Sequence, residues 1–454
     1  MKINGKEIKI NRANAVISEV DTAYCTLLME ILNEGLETEN RTGINTKSIA
    51  GWSYKFHLDQ GFPIMETKDV KAKNFSSEIQ WIHQVQSNEV KWLQDRDNPV
   101  WNQWVVDEDG IYRIYEQGEN ALYDPEKLVP LKRQILLRTD NGLAYVGKEP
   151  VLDGLNKPIM VQSWDLMKGE KNPRTIKEAI LFGKEWAGTI GDAYGNINKQ
   201  TMAPQKLEWT IKNNPTDRRM IVSLWQDEHL PKAVLPSCVW SQEYKVTPDG
   251  RLHSFVHQRS ADVPLGVPFN IGQYALLLSM YAKACGLEPG TMSWSIMDAH
   301  IYLNQLEGIK KQLKRFEYML EYAEFIQQNT DEAIEREYTH LENEFDKTHE
   351  FIKGFFEEDV DTIKMSVKLK KLKQINKDIA EKYEEEFERK VCFEHMLTRE
   401  TPVLELEEHT SIFDYSTEYV KKGVSYLEEN PIGNKELVLK NYHPTPFISM
   451  PIAQ

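Results

Sequence analysis

The feature that most constrains the fold of this chain is a long stretch without proline, from Leu303 to Thr401. Apolar residues recur in it at spacings of three and four, which is the period of an amphipathic helix. They are Phe316, Met319, Leu320, Ala323, Ile334, Tyr338, Leu341, Phe345, Ile375, Ile379, Tyr383 and Phe387. Glutamate and lysine fill most other positions, as on solvated helix faces. The pattern predicts two or three long helices with a break at Gly354.

This helical stretch has two interpretations. It could be an arm that binds an unknown partner or extends a dimer, or an insertion that packs on its own core. The sequence identifies no ligand or partner for it, so both interpretations stay open.

Size and charge limit the classes of protein to consider. The 454 residues include 41% hydrophobic residues and carry a formal charge of -15. A chain of this length can bury a large core, which predicts one principal domain with insertions, or two domains. The negative charge argues against broad binding to nucleic acid or to an anionic membrane. Without a long apolar run or a signal-peptide pattern, we expect a cytoplasmic protein.

Cysteine usage indicates neither a disulfide framework nor a metal site. Cys25, Cys238, Cys285 and Cys392 are widely separated, with no C-x-x-C pair and no zinc-like Cys/His spacing.

The rest of the chain reads as mixed helix and strand. A helix is predicted over Ile17 to Leu36, a strand in "SIAGWSYKFHL", and a helix rich in aromatic residues over Ser76 to Leu93. Residues 111–187 contain short apolar runs separated by turn signals such as "LDGLNKP", which predicts an inserted subdomain. Strands in "RRMIVSLW" and "LHSFVHQ" and an apolar helix over Ile271 to Cys285 follow. Short strands and turns are expected from "MLTRETPVLEL" onwards.

Cys238, in "VLPSCVWSQEYKV", has two interpretations. Most free cysteines are small core residues. Arg218, Arg219 and Arg259 occur nearby in sequence, however, and arginine suits bidentate contact with phosphate. Positive charge also favours the thiolate, which is the nucleophilic form. Cys238 is therefore a candidate nucleophile beside a phosphate site.

Other polar residues have a structural and a chemical interpretation. Asn270, in "VPFNIGQYALL", could cap a helix or pair with the edge of uracil. Glu78 could be an exposed helix residue or a buried acid with a raised pKa. His300 and Tyr302 share one face of a predicted strand, where they could bind a sugar hydroxyl or bond within the core.

Taken together and in this order, these segments resemble the thymidylate synthase family. The central block runs through "DRRMIVSLW", "LPSCVWSQEYKV", "HQRSADVPLGVPFNIGQYALL" and "MDAHIYLNQ", with almost no gaps. "ENRTG", "GFPIMETK", "SSEIQWI", "VWNQW", "GTIGDAYG", "TSIFDY" and "NYHPTPFISMPIAQ" also match. The resemblance reaches roughly residues 14 to 110, 188 to 311 and 397 to 454.

The resemblance implies an α/β (α+β) fold with three layers, a large mixed β-sheet and a helical layer on one of its faces. The other face would pack against a second copy in a homodimer. The implied catalytic core comprises residues 1–110, 188–311 and 397–454. Residues 111–187 would form a small inserted subdomain, and residues 312–396 a helical, coiled-coil-like insertion.

The resemblance also implies a role for individual residues. The co-substrates would be dUMP and 5,10-methylenetetrahydrofolate. The implied catalytic residues are Cys238, Glu78, Tyr194 and Asp262. The implied dUMP-binding residues are Arg41, Arg218, Arg219, Gln258, Arg259, Ser260, Asn270, His300 and Tyr302, with Arg218 and Arg219 contributed by the partner subunit. The implied folate-binding residues are Lys68, Trp101, Trp104, Asp262, Leu265, Gly266, Phe269 and Ala453.

The chain departs from the family pattern at three positions. Val239 follows the cysteine where many members have histidine, although some similar enzymes also have Cys-Val. Lys71 stands where histidine is common. Gln454 stands where the tail that closes over the folate usually has an apolar residue, and this change could admit water.

Two outcomes of the reaction remain open. Hydride transfer to the methylene on the base gives dTMP, whereas attack by water gives 5-hydroxymethyl-dUMP, the product of phage deoxyuridylate hydroxymethylases. We favour methylation because it is the commoner reaction in the family. Asn270 fits uracil better than cytosine, which argues against dCMP as substrate. A non-catalytic scaffold on a synthase-like core is the alternative outside enzymes.

Overall fold

The computed structural model describes residues 2–3, 6–40, 42–116, 126–140, 144–165, 173–356, 359–418 and 432–452. The strands in these residues are β1 (Lys2–Ile3), β2 (Lys6–Glu7), β3 (Leu36–Thr38), β4 (Thr46–His57), β5 (Ile111–Tyr115), β6 (Leu128–Arg138), β7 (Ala144–Pro150), β8 (Met160–Gln162), β9 (Trp164–Asp165), β10 (Arg174–Leu181), β11 (Ile221–Ser223), β12 (Val239–Val246), β13 (Arg251–Asp262), β14 (Glu288–Tyr302), β15 (Val403–Leu406) and β16 (Leu437–Lys440). The α-helices are α1 (Glu19–Glu34), α2 (Ala72–Gln80), α3 (Val90–Gln94), α4 (Gly195–Thr201), α5 (Ala203–Asn213), α6 (Val267–Ala284), α7 (Leu306–Gln328), α8 (Asp331–Lys353), α9 (Met365–Ile375) and α10 (Lys377–Thr398).

A six-stranded mixed sheet forms the centre of the fold, in the order β11-β12-β13-β14-β4-β3. The pair β13–β14 is parallel and the other neighbours are antiparallel. Met292, Trp294 and Ile296 alternate along β14 towards the core, the period expected of a strand with one buried face. The predicted mixed α+β fold with a large mixed sheet is confirmed.

Helix α6 covers the buried face of this sheet and is itself packed almost all round. Its buried residues include Tyr274, Leu277 and Tyr281. Gly272 lets α2 approach α6 closely, since a Cβ on it would lie 2.9 Å from the ring of Phe75. This close approach brings polar side chains of the two helices together.

Some predicted elements differ in extent from those observed. The helix predicted over Ser76 to Leu93 begins earlier, at Ala72, and continues as a π-helical turn over Trp81–Val85. It stops at Gln86, whose φ of 56° is left-handed, and α3 follows as a separate helix. The strand predicted in "RRMIVSLW" is only three residues long.

A second sheet forms within the segment between Ile111 and Leu181. Its path is β5-β10-β6-β7, with β8 beside β6 and β9 beside β10. It has its own apolar cluster, which includes Val129, Leu131 and Ile176. Gln134 donates to the carbonyl of Ala233 at 3.2 Å, so this sheet supports the loop before Cys238.

The predicted long helices are α7, α8 and α10, with the shorter α9 between the last two. Helix α8 ends at Lys353 with Gly354 as its C-cap, as expected. Tyr322 and Phe393 pack edge to face at 4.9 Å between α7 and α10. In the parts of the chain described here, no helix is both long and apolar enough to cross a membrane.

Candidate active site

Cys238 lies directly before β12, where the antiparallel partner strand brings an arginine beside it. Val239 pairs with Gln258, so the next residue of β13, Arg259, reaches back to Cys238. The Arg259 guanidinium lies 3.8 Å from the Cys238 sulfur. It also donates to the carbonyls of Ser237 at 3.0 Å and Pro236 at 2.8 Å. These bonds hold the cation next to the thiol.

Tyr194 meets the same cysteine from another element. Its hydroxyl accepts a hydrogen bond from the Cys238 backbone N–H at 2.9 Å. Its backbone has φ 46° and ψ -106°, a conformation that residues other than glycine rarely adopt. Such strain costs about 1–3 kcal/mol and is often found at functional positions. Burial raises the pKa of the Tyr194 hydroxyl well above its usual value.

Glu78 is buried on α2, which excludes the interpretation as an exposed helix residue. Trp101 Nε1–H donates to its Oε1 at 2.8 Å, and Gln273 Nε2–H donates to its Oε2 at 2.6 Å. Burial raises the pKa of Glu78 to about 7, even though both hydrogen bonds act to lower it. A carboxyl with this pKa can hold or release a proton near neutral pH.

Asn270 lies inside the first turn of α6, and Gly266 is the N-cap, so the capping interpretation of Asn270 is wrong. Its Oδ1 accepts from Gln258 Nε2–H at 3.2 Å, and its Nδ2–H donates to Gln273 Oε1 at 3.0 Å. Trp294 Nε1–H in turn donates to Gln258 Oε1 at 3.2 Å. Each bond uses one amide hydrogen or lone pair, which leaves Asn270 one further donor and one further acceptor position.

Asp262 is the centre of a third polar group. Gln305 Nε2–H donates to both of its carboxylate oxygens, at 3.1 and 3.0 Å, and to the carbonyl of Pro451 at 3.1 Å. Burial raises the pKa of Asp262 in spite of these bonds and of the nearby charges of His300 and Lys68. Burial lowers the pKa of Lys68 to about 8, and its ammonium donates to the carbonyl of Pro264.

The end of β14 contributes the two residues predicted to bind a sugar. His300 and Tyr302 are edge to face, with ring centroids 5.3 Å apart. In the adjacent parallel strand, Ser260 donates to Asp298 Oδ2 at 2.9 Å. The His300 Nδ1 lies 3.3 Å from the same oxygen.

Of the other predicted folate-binding residues, Trp101 contacts Tyr194, Leu265 and Gly266 contact Asp262, and Ala453 lies outside the described residues. Trp101 packs edge to face on Trp104 at 5.8 Å and on Tyr194 at 5.4 Å. The backbone N–H groups of Leu265 and Gly266 bond to Asp262, at 3.3 Å to Oδ1 and 2.7 Å to the carbonyl. Phe269 is partly buried against the main core. Ala453 and Gln454 lie outside the described residues.

The predicted phosphate-binding arginines do not all meet in one chain. Arg259 is at Cys238, whereas Arg218 and Arg219 are exposed. Arg219 forms a bidentate pair with Asp217, at 2.9 and 2.8 Å. Arg41 lies outside the described residues.

Sequence reasoning missed Gln273, Gln305 and Asp298. Two of them left a signal in the sequence. Gln273 is an uncharged polar residue inside the apolar run "IGQYALLL", and Gln305 lies three residues after the end of the strand carrying His300. A buried amide of this kind needs hydrogen-bond partners.

One group of side chains in the described residues has the composition of a metal site: Glu407, His409 and Glu436. Its Glu436 already accepts from His409 at 3.0 Å and from the Ser416 backbone N–H at 2.7 Å.

Comparison with known proteins agrees with this geometry. The family model described as thymidylate synthase matches residues 22–354. The thymidylate synthase of Listeria monocytogenes serotype 4a (strain HCC23) is 33% identical over 305 residues, which are 65% of this chain and 87% of that protein. Because the family match extends over more than half of the chain, this protein belongs to the thymidylate synthase family.

Proposed function

We propose that the protein transfers a one-carbon unit to C5 of dUMP through a covalent bond between Cys238 and C6, and that its product is dTMP. The observation that carries the proposal is the Arg259 guanidinium 3.8 Å from the Cys238 sulfur. Guanidinium groups bind phosphate, so this contact supports a nucleotide site beside the sulfur that must attack C6.

In this reaction the Cys238 sulfur bonds to C6 and the electrons of the C5–C6 double bond move to C5 and O4. C5 then bonds to the one-carbon unit, the bond from that carbon to the folate nitrogen breaks, and C5 loses its proton. Hydride from the folate adds to the same carbon to give the methyl group, as the C6–sulfur bond breaks and the thiolate returns. Asn270 supports the choice of base, since its free donor and acceptor positions match O4 and N3–H of uracil.

Glu78 and Tyr194 are proposed to manage the protons. Glu78, with a pKa of about 7, can exchange a proton near neutral pH, directly or through one water. Tyr194 keeps its proton, because burial raises its pKa, and its hydroxyl lies at the backbone of the nucleophile.

The residues present fit a folate co-substrate. Trp104, which is half-buried beside Trp101, offers flat aromatic surface for a pterin, and Asp262 offers a carboxylate to the donors on the pterin edge. Methylenetetrahydrofolate supplies the one-carbon unit and, for methylation, the hydride. Lys68 is a buried cation close to Asp262 that can bind an anionic part of the folate.

Methylation is preferred to hydroxymethylation because it is the commoner reaction in the family. The test is to incubate the enzyme with dUMP and methylenetetrahydrofolate and to measure the mass of the product. A 5-hydroxymethyl product would refute methylation and favour the hydroxymethylase alternative. Cys238→Ala should give neither product, and turnover by that variant would refute the nucleophile.

The proposed division of the chain keeps a core of residues 1–110, 188–311 and 397–454. Residues 111–187 and 312–396 would be insertions. Separate apolar clusters support it: one includes Val129 and Ile176 in the second sheet, and another includes Leu372 and Tyr383 in α9 and α10.

A homodimer is proposed through the uncovered face of the central sheet. This face carries exposed apolar side chains, namely Ile221, Trp240, Phe255 and Met297. Exposed apolar side chains on an uncovered sheet face are typical of a subunit interface, and a second copy offers the same surface in return. Arg218 and Arg219 are exposed in one chain and so are accessible to a partner's phosphate site, where Arg219 would exchange its pair with Asp217 for the phosphate.

Mixing two inactive variants tests the shared site. Cys238→Ala lacks the nucleophile, and Arg218→Ala/Arg219→Ala lacks the arginines. After co-refolding, half of the dimers are mixed and each has one complete site, so about a quarter of the sites should be active. Activity that stays at the level of the separate variants would refute the exchange of arginines. Light scattering that finds a monomer would refute the dimer.

A further inference from the structure

A chain of hydrogen-bonded side chains connects the proposed base-reading amide to the proposed acid. It runs from Trp294 through Gln258, Asn270 and Gln273 to Glu78, with donor–acceptor distances of 3.2, 3.2, 3.0 and 2.6 Å. Gln273 is 2% exposed, so each hydrogen bond that it lost would leave a buried group unsatisfied.

The indole N–H groups at the two ends determine which amide atom donates and which accepts in each of these hydrogen bonds. An indole N–H can donate but cannot accept. Because Trp294 donates to Gln258 Oε1, the amide N–H₂ of Gln258 must face Asn270, and Asn270 must present Oδ1 to it. Asn270 therefore turns its N–H₂ towards Gln273.

The same argument identifies the group that donates to Glu78. Gln273 accepts from Asn270 with Oε1, so it can only donate to Glu78, with Nε2–H. Trp101, the second indole, donates to the other carboxylate oxygen. Both oxygens of Glu78 are thus held as acceptors, which favours the ionised form.

We propose that Gln273 is a positioning residue that holds the N–H₂ end of the Asn270 amide, in the orientation that Gln258 imposes, and that keeps Glu78 a hydrogen-bond acceptor. The inference rests on the proposed function for its uracil part. Gly272 supports it, because the absence of a Cβ there lets α6 approach Phe75 on α2 and brings Gln273 to Glu78.

Few titratable groups face Glu78 in the described residues. Tyr274 on α6 is electrostatically coupled to Glu78, and Tyr194 is reached through Trp101. Burial raises the pKa of both hydroxyls well above their usual value, so neither ionises near neutral pH. The Cys238 thiol faces both tyrosines. A titration near neutral pH that disappears in Glu78→Gln can therefore be assigned to Glu78.

The test compares Gln273→Met with Gln242→Met. Methionine keeps the volume and removes the hydrogen bonds. Gln242 is an equally buried glutamine that accepts from Tyr244 at 3.0 Å and lies 3.4 Å from His83, without a bond to Asn270 or Glu78. Thermal unfolding of both variants identifies any general loss of stability.

The first readout is the protonated carboxyl band of the ligand-free enzyme in infrared spectra, with the Glu78→Gln spectrum subtracted. The band should titrate near pH 7 in the wild type, at a higher pH in Gln273→Met, and as in the wild type in Gln242→Met. The same midpoint in Gln273→Met as in the wild type would overturn the role at Glu78.

The second readout is binding of dUMP and dCMP by calorimetry. Loss of one neutral hydrogen bond should weaken dUMP binding by Gln273→Met about three- to tenfold. It should leave dCMP binding unchanged, so the preference for uracil falls. A preference equal to that of the wild type would overturn the role at Asn270. If the wild type itself does not bind dUMP but the infrared midpoint moves, the proposed function fails and the role at Glu78 stands.

Discussion

A buried ion pair between α7 and α10 offers the sharpest test of how the helical segment is held to the rest of the molecule. Arg315 donates through Nε and Nη2 to the two carboxylate oxygens of Glu388, and the side chains are 1% and 6% exposed. Its remaining nitrogen donates to the carbonyls of Thr67 and Pro446 and to the Thr445 hydroxyl. The Arg315 side chain therefore connects α10, Thr67 and the C-terminal segment at Thr445 and Pro446.

The perturbation is Glu388→Gln, which keeps the volume and removes the charge. Loss of one partner of a buried pair costs about 3–5 kcal/mol, because the other charge stays buried without a counter-ion. Arg315 keeps two carbonyl acceptors and a hydroxyl in the variant, which favours the lower limit of about 3 kcal/mol. That loss lowers the ratio of folded to unfolded protein about a hundredfold.

The assay is urea unfolding, followed by tryptophan fluorescence and by far-ultraviolet circular dichroism to check that the transitions coincide. Arg315→Met/Glu388→Leu is the matched control. It removes both charges, so it should regain much of the stability that Glu388→Gln loses. The reasoning is refuted if Glu388→Gln unfolds at the urea concentration of the wild type, or if the double variant is no more stable than Glu388→Gln.

The pH dependence follows from the direction of the Glu388 shift. Burial alone would raise its pKa, but the hydrogen bonds and charges of Arg315 and Lys311 outweigh burial and the net pKa is lowered. A lowered carboxyl pKa gives stability that is present above the unfolded pKa and is lost as the pH falls through the folded pKa. The difference between wild type and Glu388→Gln should therefore shrink in acid, below about pH 4.5.

Three further predictions concern the site. Because burial raises the pKa of Glu78 to about 7, ionisation of Glu78 lowers the stability of the wild type as the pH rises. The free energy of unfolding of Glu78→Gln, measured in urea titrations, should therefore gain up to about 3 kcal/mol over that of the wild type between pH 4.5 and 8. A difference that does not change with pH would contradict this. Gly272→Ala should destabilise the protein by about 1–3 kcal/mol because its Cβ meets the Phe75 ring at 2.9 Å, and Phe75→Leu in the same chain should recover part of the loss. Gln305 bonds to Asp262 and to the Pro451 carbonyl, so Gln305→Met should weaken folate binding about three- to tenfold in fluorescence titrations and leave dUMP binding unchanged. A folate affinity equal to that of the wild type would contradict a role of Gln305 in the folate site.

Contacts between residues that are close in sequence, or that lie in adjacent strands, could be predicted best. Cys238 and Arg259 are neighbours because their strands form one antiparallel pair, and His300 and Tyr302 share a face because side chains alternate along a strand. The break at Gly354 could be predicted because glycine is a poor helix former, although Gly354 itself keeps a right-handed conformation.

Contacts between distant segments could not be predicted from periodicity. The Gln273–Glu78 bond joins residues 195 positions apart, and the Arg315–Glu388 pair joins residues 73 apart. The end of the helix at Gln86 was also missed, since left-handed glutamine is uncommon and no glycine or proline marks the position.

The sequence by itself determined the family, the mixed α+β fold and the candidate nucleophile, because each depends on residue types in a fixed order along the chain. Only the tertiary structure decided the environment of those residues. Burial between α2 and α6 raises the pKa of Glu78 to about 7, although the hydrogen bonds from Trp101, which follows α3, and from Gln273 on α6 act to lower it. Burial and hydrogen-bond direction depend on how separate elements meet in space, and neither is encoded by a local pattern.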